Sequence, residues 1–169
     1  MQKKRLYTIG YEGADLSTFL ATLEHCGIRQ IIDIRDVPIS RKKGFSKSAL
    51  TQALADNGIA YVHLKGLGDP KAGREAARRG DFLAFNKIFR AHLKGEAAQV
   101  ALKAAVTAAA SLRSCLLCYE RSHVHCHRTI VAAAIADQAE FQVLHVGVQE
   151  KLRGEAPNVR DRGRATAIG

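Results

Sequence analysis

An α/β fold, a single three-layer domain on a mainly parallel sheet of about five strands, is what this sequence predicts. Three observations carry it. Short apolar runs of strand length alternate with stretches whose apolar residues recur at three and four, the pattern of β-α-β units. The 169 residues suit one domain and can bury a core. Hydrophobic residues make up 47% of them, as in an ordinary globular protein, with no internal repeat.

Leu6 to Ile9 reads as the first strand, ended by Gly10, with Tyr11-Glu12-Gly13 as a turn. Asp15 is placed to cap a helix whose apolar face is Leu16, Phe19, Leu20 and Leu23, and Gly27 closes it. Ile28 to Ile34 gives the second strand, parallel to the first through a right-handed crossover. A polar loop follows, after which Ser46 is expected to cap a helix with Ala49, Leu50, Ala53 and Leu54 inward, stopped at Asp56-Asn57-Gly58. Ile59 to Leu64 is the third strand, and its exit past Gly66, Gly68 and Asp69 is again a glycine-bearing loop. Lys71 to Arg79 reads as a basic surface between elements. Asp81 opens a helix with Phe82, Phe85, Phe89 and Leu93 on one side, a core stripe rather than a cofactor box. Glu96 to Arg113 is an alanine-rich helix carrying Val100, Ala104 and Leu112 that packs closely on the sheet. Ser114 to Cys118 is the fourth strand, a helix with Ile130, Val131, Ala134 and Ile135 starts at Cys126, and Phe141 to Val146 is the fifth strand. Residues 1–147 thus form the domain, and 148–169, polar and without apolar pattern, read as a basic, disordered tail.

Lys and Arg number 26 against 16 Asp and Glu, a formal charge of +10. Such an excess points to a polyanionic partner, nucleic acid or a phosphate-bearing small molecule, unless it serves solubility alone. No apolar run has the length of a membrane span and the N-terminus lacks a signal-peptide core, so a cytoplasmic location is expected and no membrane partner. There the four cysteines, at 26, 115, 118 and 126, stay as thiols.

Parallel strands deliver their carboxyl ends to one edge, where open α/β sheets place ligands. That edge collects Tyr11 and Glu12, then Asp33, Arg35, Ser40 and Arg41, then His63 and Lys65, then Glu120, Cys126, His127 and Arg128. Loops are polar in any protein, but acid, base, thiol and guanidinium together make an active-site argument. The helix start at Cys126 adds unsatisfied N–H groups and a positive dipole end, which welcome an anion and favour a thiolate. Glu12, Asp33, Glu120, Cys126 and His127 are therefore read as catalytic, and Arg35, Ser40, Arg41 and Arg128 as anion-binding. Tyr11 and His63 line the remaining pocket. In the opposing reading the carboxylates pair with the arginines to hold loops, and Cys126 is a half-buried thiol at a helix start.

Cys115 and Cys118 read as core thiols, since residues three apart on a strand point to opposite faces instead of forming a zinc turn. His123, His125 and His127 alternate, so an extended loop would bring them to one side and leave a transition-metal site as an alternative. A cysteine-phosphatase loop does not fit: its arginine lies a full loop beyond the cysteine, where this chain has Ala132, and Arg128 follows too closely. No cofactor is expected.

The runs TIGYEG (residues 8–13), IDIRDVPISRKKGFS (32–46), YVHLKGLG (61–68), and CYE followed by CHR (118–128) together resemble DUF488, a family of unknown function. The resemblance spans nearly the whole domain and implies a single α/β unit without an established activity. Its matched polar positions are Tyr11, Glu12, Asp33, Arg35, Ser40, Arg41, Glu120, Cys126, His127 and Arg128. The family pattern has Asp-Pro shortly after Cys-x-Glu, and Ser122-His123 here implies a differently shaped loop. The functional expectation is an enzyme acting on a phosphate-bearing substrate, nucleic acid or nucleotide, at the carboxyl edge of the sheet. The alternatives are a nucleic-acid-binding module without catalysis and a metal-binding protein.

Overall fold

Each apolar run becomes a strand. In the computed structural model, which describes residues 2–148, the strands are β1 (Lys4–Gly10), β2 (Gln30–Asp33), β3 (Ala60–His63), β4 (Ser114–Cys118) and β5 (Phe141–Val146). They form one sheet in the order β3-β2-β4-β1-β5, and every neighbouring pair is parallel. The connection from β1 to β2 passes over β4, and the connection from β4 to β5 passes over β1 in the opposite direction. The chain therefore parts above the ends of β1 and β4, which is where such sheets open a crevice.

Helices α1 (Leu16–His25) and α2 (Lys47–Asp56) cover one face, where Phe19, Leu23, Leu50 and Leu54 pack on Tyr7, Ile9, Ile31, Cys115 and Leu117. Helices α3 (Lys71–Arg78), α4 (Phe82–Leu93), α5 (Glu96–Ser111) and α6 (His127–Gln138) cover the other, burying Ala76, Phe85, Phe89, Ala105, Val131 and Ile135 against Leu6, Ile32 and Leu116. Strand residues alternate between these two cores, as a strand buried on both faces must. Asp15 caps α1 as expected, its carboxylate accepting the Thr18 N–H at 2.8 Å.

Four local expectations are corrected. Lys71 to Arg78 is the helix α3, whose inward positions are only Gly73 and Ala76, so no apolar period was visible. Ser46 stands at the start of α2 without capping it, because its hydroxyl turns back to Ser40, accepting the Ser40 N–H at 3.0 Å. Ala49 of that helix is exposed. On α5 the buried face is Ala98, Ala101, Leu102, Ala105 and Ala109, while Val100 and Leu112 are 65% and 41% exposed and Ala104 also faces out. Small residues win that face because the chain beneath comes close: a side chain on Gly66 would meet the Ala97 carbonyl at 2.8 Å and the Ala101 methyl at 2.9 Å. Of the segment read as a tail, Val148 is buried in the α1 and α2 core, and 149–169 lie outside the described residues.

Candidate functional site

Register brings the strand ends to one level. Gly10 pairs with Cys118, and Asp33 pairs with both Leu117 and His63. The polar groups beyond them fall into two sets.

The first set is a closed network around Arg35. Its Nε donates to Asp33 Oδ1 at 2.9 Å and its Nη2 to Asp33 Oδ2 at 2.7 Å, while Nη1 donates to the Phe45 carbonyl at 2.6 Å and the Tyr11 hydroxyl at 3.2 Å. Tyr61 donates its hydroxyl to Asp33 Oδ2 at 2.5 Å, and His63 Nε2 donates to the Arg35 carbonyl at 2.7 Å. The Tyr11 ring stacks flat on Phe45, centroids 4.4 Å apart. Burial works against the charge of Arg35, but the Asp33 carboxylate more than offsets this and raises its pKa. Asp33 and Arg35 are 0% and 6% exposed, and every edge of the guanidinium is occupied. The expected grip of Arg35 on an anion is thus replaced by a bidentate pair that ties β1, β2 and β3 to the loop before α2. Ser40 likewise serves its own loop, its hydroxyl accepting the Lys42 N–H at 3.1 Å. Glu12 pins two loops together by accepting the Arg121 N–H at 3.1 Å. Arg41 stays exposed on the rim.

The second set lies on the opposite face. Position 118 has the parity of Leu116, so Cys118 turns toward the start of α6, where Cys126 is the residue just before the helix. The two Sγ atoms are 2.8 Å apart. Cys126 Sγ also lies 3.6 Å from Glu120 Oε2 and 3.8 Å from His127 Nδ1. His127 Nε2 donates to the Ile34 carbonyl at 2.9 Å, which turns Nδ1 toward the sulfur. Arg128 is 1% exposed and runs beneath this cluster. It donates to Thr8 Oγ1 at 3.1 Å, Cys118 Sγ at 2.9 Å, the Arg121 carbonyl at 3.1 Å and the Glu120 carbonyl. Burial opposes its charge, yet the sulfurs of Cys118 and Cys126 raise its pKa. Gly10 is what admits this arrangement, since a Cβ there would run into the Glu120 carbonyl.

Asp69 joins the second set and was not singled out as a site residue in the sequence. It is 7% exposed and its Oδ1 has no hydrogen-bond partner among the described residues. Gly73, one turn into α3, makes room for that carboxylate. Burial pushes its pKa up to about 6, with His127 and Arg74 opposing the rise and Glu120 adding to it. The only signal in the sequence was an Asp before Pro70 with a glycine a turn later, which marks a loop as readily as a buried acid.

Residues 15–135 match the family described as domain of unknown function DUF488. The chain belongs to the DUF488 family. No curated protein and no solved structure matches it.

In this DUF488 protein the loop carrying Ser122 and His123 is a compact turn. The His123 carbonyl accepts the Cys126 N–H at 3.2 Å and the Thr129 hydroxyl at 2.5 Å, fastening the start of α6. That turn also scatters the three histidines whose alternation had left a shared metal site as an alternative. His123 stacks on His145 with centroids 3.9 Å apart, His125 stacks on Phe82 at 3.7 Å, and His127 points to Ile34. Among the described residues, the potential ligands that do converge are Cys118, Glu120 and Cys126. Cys118 is therefore not the bystander that Cys115 is, although burial and then the neighbouring Cys126 raise its pKa well above the usual thiol range. A concavity of about 550 Å³ lies at the opposite, amino edge between residues 2–5 and 109–113, and its walls hold lysine and arginine but no thiol, imidazole or carboxylate. The thiols, imidazoles and carboxylates of the two sets all lie at the carboxyl edge, away from this hollow. No described helix is long and apolar enough to cross a membrane.

Proposed function

We propose that this DUF488 protein is an enzyme acting on a phosphate-bearing substrate, a nucleotide or nucleic acid, beside the carboxyl end of β4. The observation that carries the reading is the buried Asp69 side chain, whose Oδ1 has no hydrogen-bond partner among the described residues, in electrostatic reach of His127, Glu120 and Arg74. A fold does not bury an acid without a partner for stability's sake, and such groups cluster where protons are moved. Asp33 and Glu12 hold structure, so the proton-transfer roles narrow to Asp69 and Glu120, with Cys126 and His127 beside them.

A module that only bound polyanions would gain nothing from these acids. The exposed Arg41, Lys43, Lys65 and Arg121 follow β2, β3 and β4 and rim the same edge, and with the net charge of +10 they favour an anionic substrate. The test incubates the full chain with nucleoside phosphates and with short DNA and RNA strands, and reads phosphate release and chromatographic products. Asp69→Asn and Glu120→Gln should each lower turnover by about 100-fold or more. Salt-sensitive binding without turnover would instead establish the binding-module alternative, and neither binding nor turnover would end both.

A further inference from the structure

We infer that Cys118, Glu120 and Cys126 form a binding site for a divalent ion of the zinc class, with a fourth position left open. Their ligand atoms lie within 4.8 Å of one another. Two sulfurs and one carboxylate oxygen suit zinc, ferrous iron or cobalt, and do not suit magnesium or calcium. The separation of Cys126 Sγ and Glu120 Oε2, 3.6 Å, equals the edge of a zinc tetrahedron, about 3.6 Å for bonds of about 2.3 and 2.1 Å. The sulfurs, 2.8 Å apart, are well beyond the roughly 2.05 Å of a disulfide. They fall short of the roughly 3.8 Å between two zinc-bound thiolates. They need to part by about 1 Å, a shift that side-chain torsion at the two cysteines can supply while the Cys126 backbone stays held by the His123 carbonyl and the Thr129 N–H.

Arg128 supplies an independent argument. Among the described residues it is a buried guanidinium with no carboxylate within ion-pair distance, and one of its N–H groups rests on Cys118 Sγ at 2.9 Å. A buried charge without a counter-charge is costly. A divalent ion with two thiolates and one carboxylate carries one net negative charge, which Arg128 neutralises while its N–H group orients a ligand sulfur. His127 contributes a second such feature. Its Nε2 is held by the Ile34 carbonyl, so its Nδ1 faces Cys126 Sγ at 3.8 Å, beside the cluster. Loading replaces the two thiol protons, which leave to solvent as two sulfur–metal bonds form.

This inference goes beyond the enzyme reading and does not depend on it. The full chain, purified without chelator, should hold about one zinc-class ion by elemental analysis. Stripped protein reloaded with cobalt should show the sulfur-to-cobalt charge-transfer band of a tetrahedral thiolate site. Cys118→Ser and Cys126→Ser should weaken zinc binding by more than about 100-fold, and Arg128→Met by about 10- to 100-fold. The exposed His125→Ala should leave it unchanged. Glu120 is itself exposed, so Glu120→Gln tests the site without risk to the fold, and it too should weaken binding. Failure of stripped protein to take up zinc or cobalt, uptake indifferent to Glu120→Gln and Cys126→Ser, or a Cys118–Cys126 disulfide in freshly reduced protein would each overturn the proposal. Zinc binding without any turnover would sink only the enzyme reading, and turnover in a chain that binds no metal would sink only this one.

Discussion

Replacing Arg128 by Met should destabilise the fold severely. A residue at the rim of an anion site, as the sequence suggested, could be removed without harm, but the structure puts Arg128 at 1% exposure with four hydrogen-bond partners. Methionine keeps much of the apolar stem and removes every donor. Thr8 Oγ1 retains His145 Nδ1 at 2.7 Å, whereas the Glu120 and Arg121 carbonyls lose their side-chain donor. Each orphaned acceptor costs about 1–3 kcal/mol, and relief of a buried charge without a carboxylate partner offsets part of that. The net loss should be about 2–4 kcal/mol, a large share of the roughly 5–15 kcal/mol that holds a domain together. Thermal melting should fall by roughly 10 °C, and the urea midpoint should drop with the slope unchanged. Arg128→Lys should recover little, because an ammonium cannot fork to several acceptors. A loss below about 1 kcal/mol for Arg128→Met would refute the view that Arg128 binds β1, β4 and the loop after β4 into one unit.

Other consequences follow from single residues. Asp69→Asn removes a buried charge whose Oδ1 has no hydrogen-bond partner among the described residues. In chelator-treated protein it should raise stability by about 1–3 kcal/mol at neutral pH while lowering turnover by about 100-fold or more, and lost stability in urea titrations would count against an unpaired acid. His145 has its pKa pushed down to about 4, first by burial and then by His123. The unfolded chain therefore binds the extra proton between pH 6.5 and 4, so stability is full above that window and declines as pH falls through it, by roughly 1–2 kcal/mol. His145→Gln should flatten that part of the pH–stability curve, and an unchanged slope would disprove the assignment. Gly73→Ala gains helix propensity but sets a methyl against Asp69 Oδ1. It should melt earlier than wild type, and a higher melting temperature would mean that Asp69 is free to move. On α5, Val100→Lys should stay within about 0.5 kcal/mol, while Ala105→Val should cost about 1–3 kcal/mol, reversing the apolar face assigned from the sequence.

The sequence by itself determined the strands, their parallel order of connection and the edge at which these ionisable residues gather. Those are set by local patterns: strand-length apolar runs, Asp15 as a cap, and the rule that β-α-β units send every strand end the same way. The face of α5 was misread because its small residues, set by the close approach of Gly66, carry almost no hydrophobic signal, and α3 escaped notice for the same reason. Pairing within the site was also out of reach. Asp33, Arg35, Cys126 and Arg128 have similar ionisable character on paper, yet the first two close on each other while the last two meet Cys118 and Glu120. What separates them is the alternation of side chains across the sheet, which sends odd and even strand positions to different cores, and the depth at which each loop crosses the strand ends. Only the tertiary structure decides that depth, because it depends on which helix covers the loop. Asp69 shows the result: its carboxylate is buried by a helix formed two residues later in the chain, and no property of the aspartate foretells it.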